Sequence, residues 1–202
     1  MTMPEQQIEA QLRAALTAQG RPSSDYDLNP TRAPTGSKTR DAGVLVPIWL
    51  QAGTAPRLIL TKRSSQLKHH PGQIAFPGGK VDPGDANVTA AALREADEEI
   101  GLPPACVDVL GTLPPHETVT AFKITPVLGV IRDNFVPVPE AGEVEEVFTV
   151  PLAHVLDPQR YRVEGRFWQG HMRKYYVAPF GPYYIWGATA RMLRALADRV
   201  TS

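Results

Sequence analysis

The stretch NVTAAALREADEEI, residues 87–100, restricts the possible folds more than any other part of the chain. At about 100° per residue, Leu93, Ala96 and Ile100 fall on one side of a helix and Glu95, Glu98 and Glu99 on roughly the other. Gly101 and the prolines at 103 and 104 stop the pattern, so the spacing predicts a helix over 87–100. Its apolar side enters a core. Its acidic side is a poor arrangement for stability, because like charges three and four residues apart repel and the helix C-terminus disfavours anions. A solvated acidic face is one reading of such a cluster. The other is a hard divalent cation, Mg²⁺ or Mn²⁺, which takes oxygen ligands and reverses the sign of the repulsion.

Elements on either side follow from periodicity and punctuation. Residues 4–19 place Ile8, Leu12, Ala15 and Leu16 at helical spacing, and Gly20-Arg21-Pro22 ends that helix. Residues 21–40 form a polar, Pro- and Ser-containing extended connector. Ala42–Gln51 and Arg57–Lys62 are strands around a short turn. The segment Arg63–Gly84 lacks periodicity and contains Pro-Gly and Pro-Gly-Gly steps; it is expected to be an ordered loop with one brief strand, and loops of this length usually serve a function. Strands are expected at Val107–Thr112 and Phe122–Ile131, and strand-like segments near Val147, over 161–167 and over 175–178. A closing helix, Trp186–Val200, turns Ala190, Leu193, Leu196 and Ala197 inward. The fold class expected is α/β: an α/β/α sandwich on a mixed sheet, with residues 1–40 as an N-terminal helix and connector and 41–202 as the main domain.

Composition narrows the class of function. With 202 residues, 43% of them hydrophobic, the chain fills one core. Lys and Arg balance Asp and Glu at 21 each, so no overall field gathers nucleic acid or an anionic membrane, and neither is expected as a partner. No apolar run reaches the ~18 residues of a membrane span, and no secretory leader pattern opens the chain, so a cytoplasmic protein is expected. Cys106 is the sole cysteine, which fits a reducing compartment; it reads as a small, partly buried residue near a strand start. The 20 prolines are scattered and punctuate loops.

Gly79, Asp85 and Arg94-Glu95-x2-Glu98-Glu99-x-Gly101-Leu102 together resemble the Nudix box, a loop–helix–loop. Asp85 stands where the general pattern has Glu, and eight residues rather than seven separate it from Arg94. Immediately upstream, Leu60-Thr61-x-Arg63-Ser64-x3-Lys68-x3-Gly72-x3-Phe76-Pro77-Gly78-Gly79 is similar to the signature of coenzyme A pyrophosphatases, with Lys68 where that family usually has Arg. Lys68 keeps the charge and loses the planar fork. Leu113-Pro114-Pro115, Phe122 with Thr125-Pro126, and Ile185-Trp186-Gly187-Ala188-Thr189-Ala190 extend the likeness, which spans residues 44–193.

The resemblance implies a metal-dependent hydrolase that cleaves the diphosphate of coenzyme A, or of an acyl or oxidised derivative, to 3′,5′-ADP and 4′-phosphopantetheine. It implies Glu95 and Glu99 as principal metal ligands, Glu98 as a further ligand or the water-orienting base, and the Gly78 carbonyl as an additional ligand. Arg94 then orients a glutamate. Glu143, in a later loop, is the base candidate outside the helix and reads equally as an exposed carboxylate; Asp85 reads as a helix cap. Arg63 and Lys68 are placed to meet phosphates, Gly72, Gly78 and Gly79 to allow close approach, and Phe76 to pack beneath the loop. His69 and His70 point apart in an extended chain and favour polar loop or substrate contacts over ligation; nothing singles out His116, His154 or His171. Core packing accounts for most of Trp168, Tyr175, Tyr176, Tyr183, Tyr184 and Trp186, with one free to stack on adenine. Two other functions share the residues: a pyrophosphatase for ADP-ribose or another nucleoside diphosphate derivative, and a nucleotide-binding module without turnover.

Overall fold

The structure, a computed structural model, describes residues 5–30, 38–168 and 170–201. Pro4, expected at the head of the first helix, lies outside the described residues. Helix α1 (Glu5–Thr17) is followed by β1 (Ser23–Ser24), β2 (Arg40–Trp49), β3 (Arg57–Arg63), β4 (Ile74–Ala75), β5 (Gly78–Lys80) and α2 (Val88–Ile100). Strands β6 (Val107–Thr112), β7 (His116–Glu117), β8 (Phe122–Ile131) and β9 (Val144–Pro151) come next. Then follow α3 (Leu152–Val155), β10 (Arg162–Trp168), β11 (His171–Val177) and α4 (Gly187–Val200).

The sheet is mixed, as the sequence suggests. Its main path runs β1-β7-β8-β2-β3-β4, with β5 on β2, β6 on β8 and β9 on β3. The central pair β2–β8 is parallel over ten residues, from Arg40↔Phe122 to Trp49↔Ile131, whereas β3–β9 is antiparallel. Period-two alternation along β2 sends Val44, Val46 and Ile48 to one face and Leu45 to the other, and each face has its own buried cluster. On one face Ala92, Ala96, Ile100 and Leu102 of the α2 segment pack with Leu45, Ile59 and Val127. On the other, Ile8 and Leu12 of α1 and Leu193 and Leu196 of α4 cover Val46, Ile48, Leu58 and Leu128. The result is an α/β/α sandwich. Helix α1 joins this same core, and Arg199 in α4 donates to the Ala15 and Ala18 carbonyls at its end.

Two expectations change in detail. The segment 63–84 holds two brief strands, β4 and β5, where one was expected; each borrows its pairing from a longer neighbour, β3 or β2. The connector 21–40 contributes β1, whose parallel pairing with β7 joins Ser23 to His116 in register.

Candidate active site

Helix α2 is held at both ends by local chemistry. The Asn87 side chain accepts from the Thr89 and Ala90 amides, and Gly101, at φ 67°, turns its N–H back to the Ala96 and Asp97 carbonyls. The helix cap is therefore Asn87, which corrects the expectation for Asp85. Asp85 faces along the helix instead and takes Arg94 on both oxygens, each bond 3.0 Å, while also accepting from the Asp82 amide. The paired guanidinium holds the Asp85 carboxyl below its ordinary range.

Arg94 does what the sequence suggests for it: its Nη1 donates to Glu95 Oε1 at 3.2 Å and Glu98 Oε2 at 2.8 Å. The three glutamates differ in depth. Glu98 is 61% exposed at the side chain, Glu95 17% and Glu99 5%. Glu99 reaches inward to the loop before the helix, where the Gly78 amide donates to Oε2 at 3.1 Å and Arg63 Nη1 stands 3.8 Å from Oε1. A Cβ at Gly79 would fall on the Glu95 carboxylate, so any larger residue there would push that carboxylate from its present position.

Charge in this corner is short of compensation. Burial pushes the Glu99 carboxyl up to about 7; the Gly78 amide and Arg63 work against that shift, and Glu95 and Glu143 reinforce it. Glu95 is raised too, first by burial, with Glu98 and Glu143 adding to it against the pull of Arg94. Glu143 is itself exposed, yet it bears on both buried carboxylates because β3 and β9 are paired to their ends: Val144 sits opposite Arg63, and the Ser64 amide donates to the Glu143 carbonyl. The sheet thus brings Glu143 to Glu95 and Glu99. Among the described residues no set of three His, Cys, Asp or Glu side chains is disposed to hold a metal ion as it stands; Arg94 lies 3.2 Å from Glu95 and Arg63 3.8 Å from Glu99. The donor chemistry nonetheless suits a hard divalent cation: all-oxygen and clustered, with Glu95 and Glu99 raised first by burial and then by mutual repulsion.

A cavity of about 270 Å³ opens beside this corner and meets it through Gly78 and Arg63. Its walls include Val44, Phe76, Phe122, Ile124, Trp186 and Met192, and its far end carries Asp25, Arg173 and the loop 118–120. Phe76 is buried beneath the loop, as expected, and also lines the cavity. His70 lines it, while Lys68 and His69 are exposed and do not. Of the C-terminal aromatic group, Trp186 stands on that wall.

The far end was not legible as a site. His116 is fully buried, 2.9 Å from Ser23 Oγ through Nδ1 and 3.4 Å from Asp25 Oδ1 through Nε2. Arg173 pairs with Asp25 at 2.9 Å. Burial opposes the ionised Asp25, but His116, the Val119 amide and Arg173 together leave its carboxyl lowered. The only sequence signal was the likeness of the Leu113-Pro114-Pro115 region, which did not single out His116.

Comparison with known proteins agrees with this geometry. The model of the NUDIX domain matches residues 39–169. Proteins described as "Uncharacterized Nudix hydrolase NudL" from Citrobacter koseri and Salmonella paratyphi B are 44% and 43% identical, each over 80% of this chain and 83% of the relative. The MutT protein from Methanosarcina mazei superposes with a TM-score of 0.50 at 17% identity, covering 83% of this chain and 99% of its own, a likeness of fold. The acidic helix, its glycine loop and these relatives lead to one conclusion: the chain belongs to the Nudix domain family and is a Nudix hydrolase of the pyrophosphatase kind.

Proposed function

We propose that the protein hydrolyses the diphosphate of coenzyme A or of an acyl or oxidised derivative, releasing 3′,5′-ADP and 4′-phosphopantetheine or its acyl form. The observation that carries this reading is the juncture of a largely apolar cavity with the buried carboxylate corner, through Arg63 and Gly78. A coenzyme A molecule presents a diphosphate next to an extended, weakly polar pantetheine arm, and a site of this build meets both. Of the signature residues between Leu60 and Gly79, Arg63, Phe76 and Gly78 line the cavity, and the signature as a whole supports the same substrate.

Glu95, Glu98 and Glu99 would hold Mg²⁺ or Mn²⁺, with the Gly78 carbonyl as an additional ligand. When bound, the cation supplies charge neutralisation on the phosphoryl oxygens and a more acidic water. Arg63 faces the phosphate end of the cavity and offsets charge there; Gly78 and Gly79 let the backbone approach. Lys68 lies outside the cavity lining and is assigned to phosphates that project to the surface, such as the 3′-phosphate. Glu143 receives the proton from the attacking water, since it is solvated and its charge bears on the same corner; Arg94 stays on Glu98 and orients it toward the cation. Water adds to one phosphorus, the bridging P–O bond breaks, and the departing phosphate keeps the bridging oxygen.

The test is incubation of the purified protein with Mg²⁺ or Mn²⁺ and, separately, coenzyme A, ADP-ribose and a nucleoside triphosphate, with products identified by mass and Glu99→Ala as control. Metal-dependent release of 3′,5′-ADP from coenzyme A is expected. Preference for ADP-ribose would overturn the substrate, and ligand binding that Glu99→Ala leaves intact with no turnover anywhere would overturn hydrolysis.

A further inference from the structure

We propose that two copies of this chain associate through strand β10, by antiparallel pairing of β10 with itself about a two-fold axis at Gly165. The hairpin β10–β11 stands apart from the main sheet as a two-stranded ribbon. Its two edges are treated differently. On the β11 side, the Asn29 carboxamide imitates a strand: Nδ2 donates to the Lys174 carbonyl and the Lys174 amide donates to Oδ1, both at 2.9 Å. On the β10 side no strand pairs among the described residues, so a seven-residue edge stands open. Open edges of that length are templates for pairing, and monomers usually shorten or cover them.

The strand's own order of side chains selects the occupant. Residues 162–167 read Arg-Val-Glu-Gly-Arg-Phe. Antiparallel pairing about Gly165 sets all seven strand residues opposite one another, with Glu164 facing Arg166 of the second copy and Val163 facing its Phe167. Directly opposed residues share a face, so both the charge pairs and the apolar pairs are made twice. Shifting the axis to Glu164 would instead oppose Arg162 to Arg166. The register with charge complementarity is also the one that pairs the whole strand.

Exposure agrees with this choice. Alternation places Val163 and Phe167 on one face of the ribbon with Met172, the residue paired with Phe167, and these three are 47%, 70% and 57% exposed. Together they form an exposed apolar stripe, and pairing would shelter Val163 and Phe167 against each other. The opposite face is already engaged with the molecule: Arg166 lies over the Trp186 ring and Tyr184 donates to Glu164. Because Trp186 lines the cavity, association through β10 would brace that wall. The inference does not depend on which diphosphate the enzyme cleaves.

The experiment is sedimentation velocity over a dilution series on the full chain, with Glu164→Arg, Arg166→Glu and their equimolar mixture. The wild type is expected to dimerise, and each single reversal to weaken dimerisation about tenfold or more, because it opposes like charges twice. Mixing the two variants restores opposite charges at both positions and is expected to recover the dimer; thermal unfolding of each variant checks that the hairpin's own contacts survive. A wild type that stays monomeric at its highest soluble concentration overturns the proposal. So does dimerisation unchanged by either reversal, or a mixture that fails to recover it.

Discussion

Two polar clusters border the same cavity, and they are built on opposite principles. At one end Glu95 and Glu99 are carboxylates pressed together with too little positive charge, both raised above their ordinary range. At the other, Asp25 is also largely withdrawn from solvent yet is lowered, because His116, Arg173 and the Val119 amide all serve it. Burial acts against the charged form in both; what differs is whether the partners are already present. A completed cluster contributes to the fold. An incomplete one costs stability and has to be explained by something that arrives later, which here is a divalent cation and a polyanionic substrate.

The largest expected effect follows from emptying the incomplete cluster. Glu99→Gln keeps the shape of the side chain and removes its charge, and is expected to lower metal-dependent hydrolysis on the order of 10³-fold. The same substitution should stabilise the metal-free protein at neutral pH, since it relieves a buried, repelled carboxylate. A variant that loses activity and stability together would mean that Glu99 is a structural group like Asp25.

Acid and base should then separate the clusters. Glu99 has a folded pKa of about 7 against an ordinary 4.5, so between those values the unfolded state has lost the proton and the folded state retains it. Its contribution is full below 4.5 and is lost as pH rises to about 7, a decline of roughly 3 kcal/mol. Asp25 has the opposite sign: lowered from 3.8, it stabilises above that value and ceases to do so as pH falls through its folded pKa. Thermal melts of chelator-treated protein should show stability falling from pH 4.5 to 7, a fall flattened in Glu99→Gln and reduced by added Mg²⁺. An identical pH profile in wild type and Glu99→Gln would break the contrast.

Arg94 joins the two principles within one residue, since it is fully paired with Asp85 on one side and only partly neutralises Glu95 and Glu98 on the other. Arg94→Ala is expected to reduce turnover by ~10–100-fold, the range for groups that orient metal ligands. Arg94→Lys should recover only part of that, because one ammonium cannot span Asp85 and both glutamates as the fork does. Recovery to the wild-type rate in the lysine variant would show that charge alone matters at this position.

How legible each cluster was in the sequence follows from how local it is. Helix α2 carries its own start, stop and two faces within residues 87–101, so its place and its acidic side could be read directly. The glycine loop was visible as a long break in periodicity, whereas β4 and β5, at two and three residues, are too short to alternate and exist only because β3 and β2 offer them edges. Asp85 was misassigned as a cap because Asn87, two residues on, is an equally apt cap, and the true partner Arg94 lies nine residues away. Glu143 was legible as a candidate through the family likeness alone; its approach to Glu95 depends on the β3–β9 register. Ser23, Asp25, His116 and Arg173 leave no local pattern at all. Their meeting is a product of β1 pairing with β7 and of the hairpin folding back.

The smallest effect tests whether the completed cluster has chemistry of its own. Ser23, His116 and Asp25 follow one another as the residues of a nucleophilic triad do, but with the two ring nitrogens exchanged, Oγ to Nδ1 and Nε2 to Oδ1. The setting is wrong for that role. Ser23 is 5% exposed, and the pocket it borders, between Leu113 and Leu196, has about 10 Å³, room for a single water and no acyl group. Ser23→Ala should therefore cost about 1 kcal/mol for one lost hydrogen bond, lowering Tm by roughly 2–4 °C, with diphosphate hydrolysis per folded molecule unchanged. A thioester-hydrolysing activity present in the wild type and absent from Ser23→Ala, with Tm unmoved, would make this end of the cavity a second reactive centre and end the contrast between a cluster that holds the fold and one that waits for its cation.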